Sequence, residues 1–579
     1  MASAKTIVRR VVPPLPAVND HPILNRILLA RGVTAAAELD YGLAQLIDPR
    51  QLKGIEQAID LLTQAYVAQK RILIVGDFDA DGATSTALAV RGLRALGFKQ
   101  VDFLVPNRFE YGYGLTPEIV AVAQQYQPEL LITVDNGISS VAGVEAANAL
   151  GMQVLITDHH LPGDALPPAA AIVNPNQPGC DFPCKALAGV GVMFYVLIAL
   201  RSHWRSCGLF AERSEPNLAE FLDLVALGTV ADVVPLERNN RLLVAQGLKR
   251  LRAGYCCAGI KALLQVAGRS SDKITAMDLG FIIGPRLNAA GRLDDMSIGI
   301  QCLLTDNPAQ ALEYAQELDA LNRERRSIEA GMQKESQVLL AQLESELNGQ
   351  LPQGLCLYHP QWHQGVIGIL ASRIKDKLHR PVIIFAENAP GELKGSGRSI
   401  AGLHLRDALD EIAKRAPYLL KKFGGHAMAA GLSLEERYLP EFKHLFNEVV
   451  TAHIGPEGVA AAIISDGDLL GEDFSLDLAD QLAASGPWGQ AFAEPTFDGE
   501  FIVHQQRLLN DKHLKMAVSP VQSPEVLLDA IAFNVDAQPW SQHLQAKMRL
   551  AFKLTPNEFR GQRSVQLLDH HLWTSCNNV

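Results

Sequence analysis

The chain has 579 residues, 48% hydrophobic and 20% charged, with 63 Asp+Glu against 52 Lys+Arg and a formal net charge of -11. At roughly 150 residues per domain this predicts three or four domains, and the apolar fraction excludes a disordered chain. The acidic total excludes a protein that coats nucleic acid through bulk positive charge.

The N-terminus, MASAKTIVRRVVPPLP, has no apolar leader region, and the apolar stretch Ala186–Leu200 is shorter than the ~20 residues a membrane helix needs. Eight cysteines form no CxxC pair, which suits reduced thiols in the cytoplasm and no membrane association. The charge is unevenly placed. Residues 71–235 carry 9 Lys+Arg and 17 Asp+Glu, 236–434 carry 25 and 20, and 435–579 carry 10 and 20. The basic excess lies in 359–434, with 11 against 6.

Residues 1–70 read as an N-terminal segment. From Arg71, the runs RILIVG (71–76), VDFLV (101–105), ELLITV (129–134) and MQVLIT (152–157) read as buried strands separated by amphipathic helices. That alternation predicts a parallel sheet covered on both faces, an α/β domain over 71–235. Residues 236–353 read as a helical connector. Asn307-Pro308 starts a helix over 308–348, and Gly349 with Pro352 stops it. About 40 residues of helix would span about 60 Å and join two lobes; the alternative is two packed helices broken at Gly331. A second, smaller α/β unit is expected over 354–453, and a small β-rich module over 454–579.

In an open parallel sheet, ligands bind beyond the carboxyl ends of the strands. Three of the four predicted strands deliver acids or imidazoles there: Asp77-Phe-Asp79-Ala-Asp81-Gly82, Asp135-Asn136-Gly137 and Asp158-His159-His160. Asp has an ordinary pKa of about 3.9, so these groups are mutually repelling anions that need cations. Carboxylate oxygens with an imidazole suit Mg2+ or Mn2+ better than a thiolate-preferring metal. The first run opens like an EF-hand loop, but its twelfth position is Leu88 and a strand precedes it. Asp135-Asn136 alone reads equally as a helix cap or Asx turn. Asp232, in the apolar stretch LVALGTVADVVPL, reads as a buried ligand or as a loop acid facing water. A second Asp-His-His triplet, Asp569-His570-His571, has no acidic strand ends before it and reads as incidental.

The segments VGDFDADG (75–82), VPNRFEYGYGL (105–115), TVDNG (133–137), TDHH (157–160), GTVADVVPL (228–236), GPRLNAAGRLDD (284–295), HQGVIGILASR (363–373), GSGRS (395–399) and GGHAMAAGL (424–432) together resemble the Asp-His-His (DHH) phosphoesterase superfamily, and within it the exonucleases specific for single strands. The resemblance implies a parallel-sheet DHH domain joined by a long helix to a smaller α/β DHH-associated domain, with an OB-like, nucleic-acid-binding C-terminal domain. It implies two-metal hydrolysis of single-stranded DNA, 5′→3′, to 5′-mononucleotides in DNA repair and recombination.

Carried over by position, Asp79 and Asp135, with Asp77, would hold one metal. Asp81, Asp135, His159 and Asp232 would hold the other, and His160 would contact the scissile phosphate. Many members have histidine four residues before Asp79; here that residue is Val75, so the first metal would lean on Asp77 and Asp79. A 5′-phosphate pocket falls to Arg108, Ser396 and Arg398. Tyr111 and Tyr113 offer stacking faces or are turn tyrosines among glycines. Arg286 and Arg292 would track the backbone, and His426 would touch phosphate or shape a turn. No lysine follows a glycine, so no Walker A motif exists and no ATP is used. A separate helicase and a single-strand-binding protein fit as partners of a monomer. The rival readings are an oligonucleotide or cyclic-dinucleotide phosphodiesterase of the superfamily, and a non-catalytic replication scaffold of the Cdc45 type.

Overall fold

The computed structural model describes residues 6–107, 110–347, 349, 351–510, 513–533 and 547–573, the last five by backbone alone. It divides into two compact units. One is Arg323–Ser465 together with the Thr6–Arg9 strand; the other is Arg10–Asn322 with Asp466–Val579.

The second of these holds a five-stranded, all-parallel sheet in the order Val101–Leu104, Ile72–Val75, Leu130–Val134, Gln153–Thr157, Ala171–Val173. The strands Ile-Leu-Ile-Val and Leu-Leu-Ile-Thr-Val are buried along their whole length, as strands sandwiched between helix layers must be. The chain reverses its winding direction between Ile72–Val75 and Leu130–Val134. That switch point opens a crevice at the carboxyl edge. The fifth strand is three residues long, too short to stand out in the sequence pattern.

Helix Ala80–Ala95 runs from that crevice with thirteen of its sixteen residues buried. Its alanines, threonines and glycines let neighbouring helices approach closely. It packs against Gly189–Ser206 and Leu222–Ala231. In the same unit, Phe497–Leu509, His513–Pro520, Leu528–Phe533, Gln562–Trp573 and Lys547–Phe559 close a barrel in that order. Leu528–Phe533 and Gln562–Trp573 pair in parallel, the five-stranded OB arrangement. Phe497, Phe501 and Phe552 fill the barrel within the same apolar core as the sheet's helices. The incidental Asp569-His570-His571 falls on the last barrel strand, where side chains lie outside the described residues.

In the other unit, the sheet order is Lys422–Gly425, Ala429–Glu435, Glu392–Arg398, Val382–Ala389, Leu355–Tyr358. The last pair is parallel, bridged by helix Ile367–Leu378, and the others are antiparallel. The Thr6–Arg9 strand pairs in parallel with Ala462–Ser465, an association between segments far apart in sequence that no local pattern announces. The long helix is one element, Pro308–Glu346, uninterrupted at Gly331. Glu329 on it is buried between Arg325 and Arg373, at 2.8 and 2.9 Å. No helix among the described residues is long and apolar enough to cross a membrane, and the seven cysteines among them are free thiols.

Candidate metal centre and nucleic-acid contacts

The loop leaving strand Ile72–Val75 is held by its own acids. Asp77 Oδ1 accepts from the Phe78 amide at 2.7 Å, and Asp79 caps the Ala80–Ala95 helix by accepting from the amides of Asp81 and Gly82 at 2.9 and 3.0 Å. A carboxylate at a helix N-terminus satisfies orphan donors and meets the positive end of the dipole. Asp81, in the first turn of that helix, reaches a second helix: its two oxygens accept from the Gly189 and Val190 amides at 2.7 and 3.0 Å.

Asp135 follows the next strand in space with φ +62°, a left-handed conformation uncommon outside glycine. Beside it, the Asn136 amide donates to the carbonyls of Val75 and Val134, tying the two strands together at the switch point. Asp158, fully buried after strand Gln153–Thr157, accepts from the amides of Ile138, His159 and His160 and lies 2.8 Å from His160 Nδ1. Asp232 ends helix Leu222–Ala231, and Val233 next to it has φ +62°. Left-handed backbone at a β-branched residue is strained, a feature that gathers at functional sites.

These elements bring the groups together. Asp77, Asp79 and Asp135 present ligand-capable atoms within 4.8 Å of one another, and so do Asp81, His159 and Asp232; a third set, Asp135, His159 and His160, overlaps both. His159 Nε2 lies 3.1 Å from Asp135 Oδ1 and 3.5 Å from Asp232 Oδ2. Burial, then the charge of Asp79, pushes Asp81 up to about 7. Burial and the surrounding aspartates hold Asp135 and Asp232 well above the ordinary range. Asp158 goes the other way: burial opposes ionisation most, but the His160 hydrogen bond, the charges of His160 and His159 and the Ile138 amide together outweigh it and lower its pKa. His160, disfavoured as a cation by burial, is raised to about 9 by that same bond together with the charges of Asp158, Asp232 and Asp77.

A divalent cation fits this arrangement. Among the described residues, Asp135 Oδ1 is buried and accepts no well-formed hydrogen bond, and the donors are carboxylate oxygens and imidazole nitrogen, the set that hard divalent ions take.

Close packing supports the cluster in ways the sequence reading missed. A Cβ on Gly189 would sit 2.5 Å from Asp135 Oδ1, and one on Gly228 would sit 2.2 Å from Thr84 Oγ1 and 2.7 Å from Asp81 Oδ1. Asn288 Oδ1 accepts from the Ala80 amide at 2.9 Å. Both Gly228 and Asn288 lie in motifs quoted above, but only the fold shows what they touch.

The expected DNA contacts are distributed. Arg108 lies outside the described residues. Tyr111 is half-buried against the apolar cluster around Leu115 and Val120. Tyr113 is exposed, with its hydroxyl donating to the Asp135 carbonyl at 3.2 Å and its ring edge-on to His160 at 5.7 Å. Arg286 is engaged by Asp319 at 2.9 Å and by the Ile282 carbonyl at 2.7 Å, and Arg292 lies near the end of helix Gly284–Leu293. In the other unit, Arg398 Nη1 lies 3.3 Å from Ser396 Oγ on strand Glu392–Arg398. Gly368, in the first turn of helix Ile367–Leu378, leaves room beside them: a Cβ there would sit 2.9 Å from Ser396 Oγ and 3.0 Å from Arg398 Nη2. His426 stands in the turn between the two following strands, its amide donating to the Ala429 carbonyl.

A doubly wound parallel sheet with two acid-and-histidine groups at its switch point is a metal-centre fold of the DHH class. Residues 71–229 match the DHH family, N-terminal domain, 351–452 the DHHA1 domain and 465–570 the RecJ OB domain. The chain is 57% identical over 553 residues to the single-stranded-DNA-specific exonuclease RecJ of Dickeya dadantii, covering 95% of this chain and 96% of that one. It is 55% identical to the Escherichia coli RecJ, with the same coverage. The crystal structure of Thermus thermophilus RecJ in complex with Mn2+ superposes with a TM-score of 0.80 at 30% identity, covering 98% of this chain and 79% of that one. The chain belongs to the RecJ family.

Proposed function

We propose that the chain hydrolyses single-stranded DNA from the 5′ end to 5′-mononucleotides, in DNA repair and recombination. The observation that carries this is the meeting of Asp77, Asp79 and Asp135 with Asp81, His159 and Asp232 at one sheet edge, in a chain similar along almost its whole length to exonucleases named for that substrate.

Asp77, Asp79 and Asp135 would hold one Mg2+ or Mn2+, and Asp81, His159 and Asp232 the other, with Asp135 shared. Thermus RecJ has been crystallised with each of these ions. Bound there, the ions supply charge neutralisation for an in-line phosphoryl displacement and acidify the attacking water. The protein's part is positioning. Asp79 and Asp81 are fixed by helix-end amides, so their carboxylates do not reorganise during turnover. Asp158 holds the His160 ring where it can meet the scissile phosphate.

Segment 71–235 is then the catalytic domain, 236–353 the connector, 354–453 the part that reads the 5′ phosphate through Ser396 and Arg398, and 454–579 the strand-binding OB domain. Without a Gly-Lys phosphate loop the chain takes no ATP. A monomer working in the cytoplasm, with a helicase to open duplex and a single-strand-binding protein to present the strand, completes the reading.

The test is degradation of end-labelled single- and double-stranded DNA with defined 5′ chemistry, with and without chelator. Metal-dependent release of mononucleotides from the 5′ end of single strands alone is expected; chelator-resistant activity or 3′-end release would refute the reading.

A further inference from the structure

Phe281 is 70% exposed, forfeiting the burial that places most phenylalanines in cores. It sits in a π-helical turn, Leu279–Ile283, that leads into helix Gly284–Leu293. Such turns are rare and recur at functional sites.

This turn lies against the metal centre on two sides. A Cβ on Gly280 would be 3.2 Å from Val230 Cγ1, and one on Gly284 would be 3.2 Å from the Cβ of Ala231; the residue after Ala231 is Asp232. The helix that follows reaches the other acidic loop, where Asn288 accepts from the Ala80 amide and Gly291 abuts the Phe78 carbonyl. The element bearing Phe281 therefore spans from the Asp232 turn to the Asp77–Asp81 loop. Met277, four residues before it in the chain, is 40% exposed, and Val233, next to Asp232, is 61% exposed. Arg286 locks the turn from behind through the Ile282 carbonyl and Asp319.

We propose that Phe281 is a stacking platform for an unpaired nucleobase of the strand entering the metal centre. This rests on the single-stranded-DNA reading above and adds a source of strand preference: a base face is free to stack on a protein ring only when the base has left its duplex.

The test uses the full chain with Mn2+ and a 5′-phosphorylated oligothymidylate. Phe281→Ala should raise KM about tenfold or more while leaving kcat and the melting temperature close to wild type, and Phe281→Trp should restore KM. A merely structural role is separated by abasic substrates. One abasic position should raise the wild-type KM by a similar factor and add nothing for Phe281→Ala. A KM for Phe281→Ala within twofold of wild type, or abasic penalties undiminished in that variant at every position, overturns the proposal, and the exposed ring would then face a protein. Wild-type protein that fails to degrade the oligonucleotide sinks the function reading and this inference together. Active wild type with an indifferent Phe281→Ala sinks the inference alone.

Discussion

His159 Nε2 lies 3.1 Å from Asp135 Oδ1, so the end of strand Gln153–Thr157 meets the end of its neighbour Leu130–Val134 at a buried, acid-rich point. Without cations, Asp135 is a liability to the fold, since burial and the charges of Asp81 and Asp79 all disfavour its ionised form. Asp135→Asn should therefore raise the melting temperature of chelator-treated protein by a few degrees. It should also lower turnover of single-stranded DNA at least about a hundredfold. Calorimetry beside a nuclease assay checks both, and a variant that loses stability in chelator contradicts the electrostatic account.

Asp81 makes a pH prediction. Its folded-state pKa of about 7 exceeds the ordinary value of about 3.9, so the folded chain holds this proton more tightly than the unfolded one. Its stabilising contribution is complete below about pH 4 and is lost as pH rises through about 7. Metal-free wild type should lose melting temperature between about pH 5 and pH 8 more steeply than Asp81→Asn. Parallel profiles would show that burial does not perturb this carboxylate.

Gly228 tests the close approach of the helices. With a Cβ 2.2 Å from Thr84 Oγ1 and 2.7 Å from Asp81 Oδ1, Gly228→Ala should cost about 1–3 kcal/mol and depress kcat by displacing Asp81. Gly331→Ala is the control: among the described residues nothing beyond its own helix backbone lies within 4 Å of a Cβ there, and it should stabilise the long helix by about 0.5–1 kcal/mol. Urea midpoints of the two variants should move in opposite directions.

Arg398 tests end recognition. Its guanidinium lies beside Ser396 near the start of helix Ile367–Leu378. Arg398→Ala should weaken binding to 5′-phosphorylated ends about tenfold or more and leave 5′-hydroxyl strands nearly unaffected. Equal loss for both kinds of end would remove the pocket.

Much of the site was legible because its pieces are local. Asp77, Asp79, Asp81, Asp135 and His159 each follow an apolar run directly, and the long helix declares itself by Asn307-Pro308 and the absence of any proline until Pro352. Other parts were legible only through motif resemblance. Asp232, by its own stretch a ligand or a loop acid, was assigned to the second metal by resemblance, and the fold sets it 3.5 Å from His159. Arg286, expected by resemblance to track the DNA backbone, is engaged by Asp319 at 2.9 Å. Phe281 carried no signal at all, because an exposed and a buried phenylalanine look alike in sequence.

By itself the sequence determined the strands, the acids at their ends and the family, because hydrophobic runs, turn residues and motif spacing are short-range properties. The tertiary structure alone decided how closely these acids and His159 meet. Strand order sets Ile72–Val75 beside Leu130–Val134, and helices from residues 189, 222 and 284 close around that edge. Burial then turns ordinary aspartates into groups that resist ionisation, because desolvation depends on everything packed around a charge and not on its neighbours along the chain.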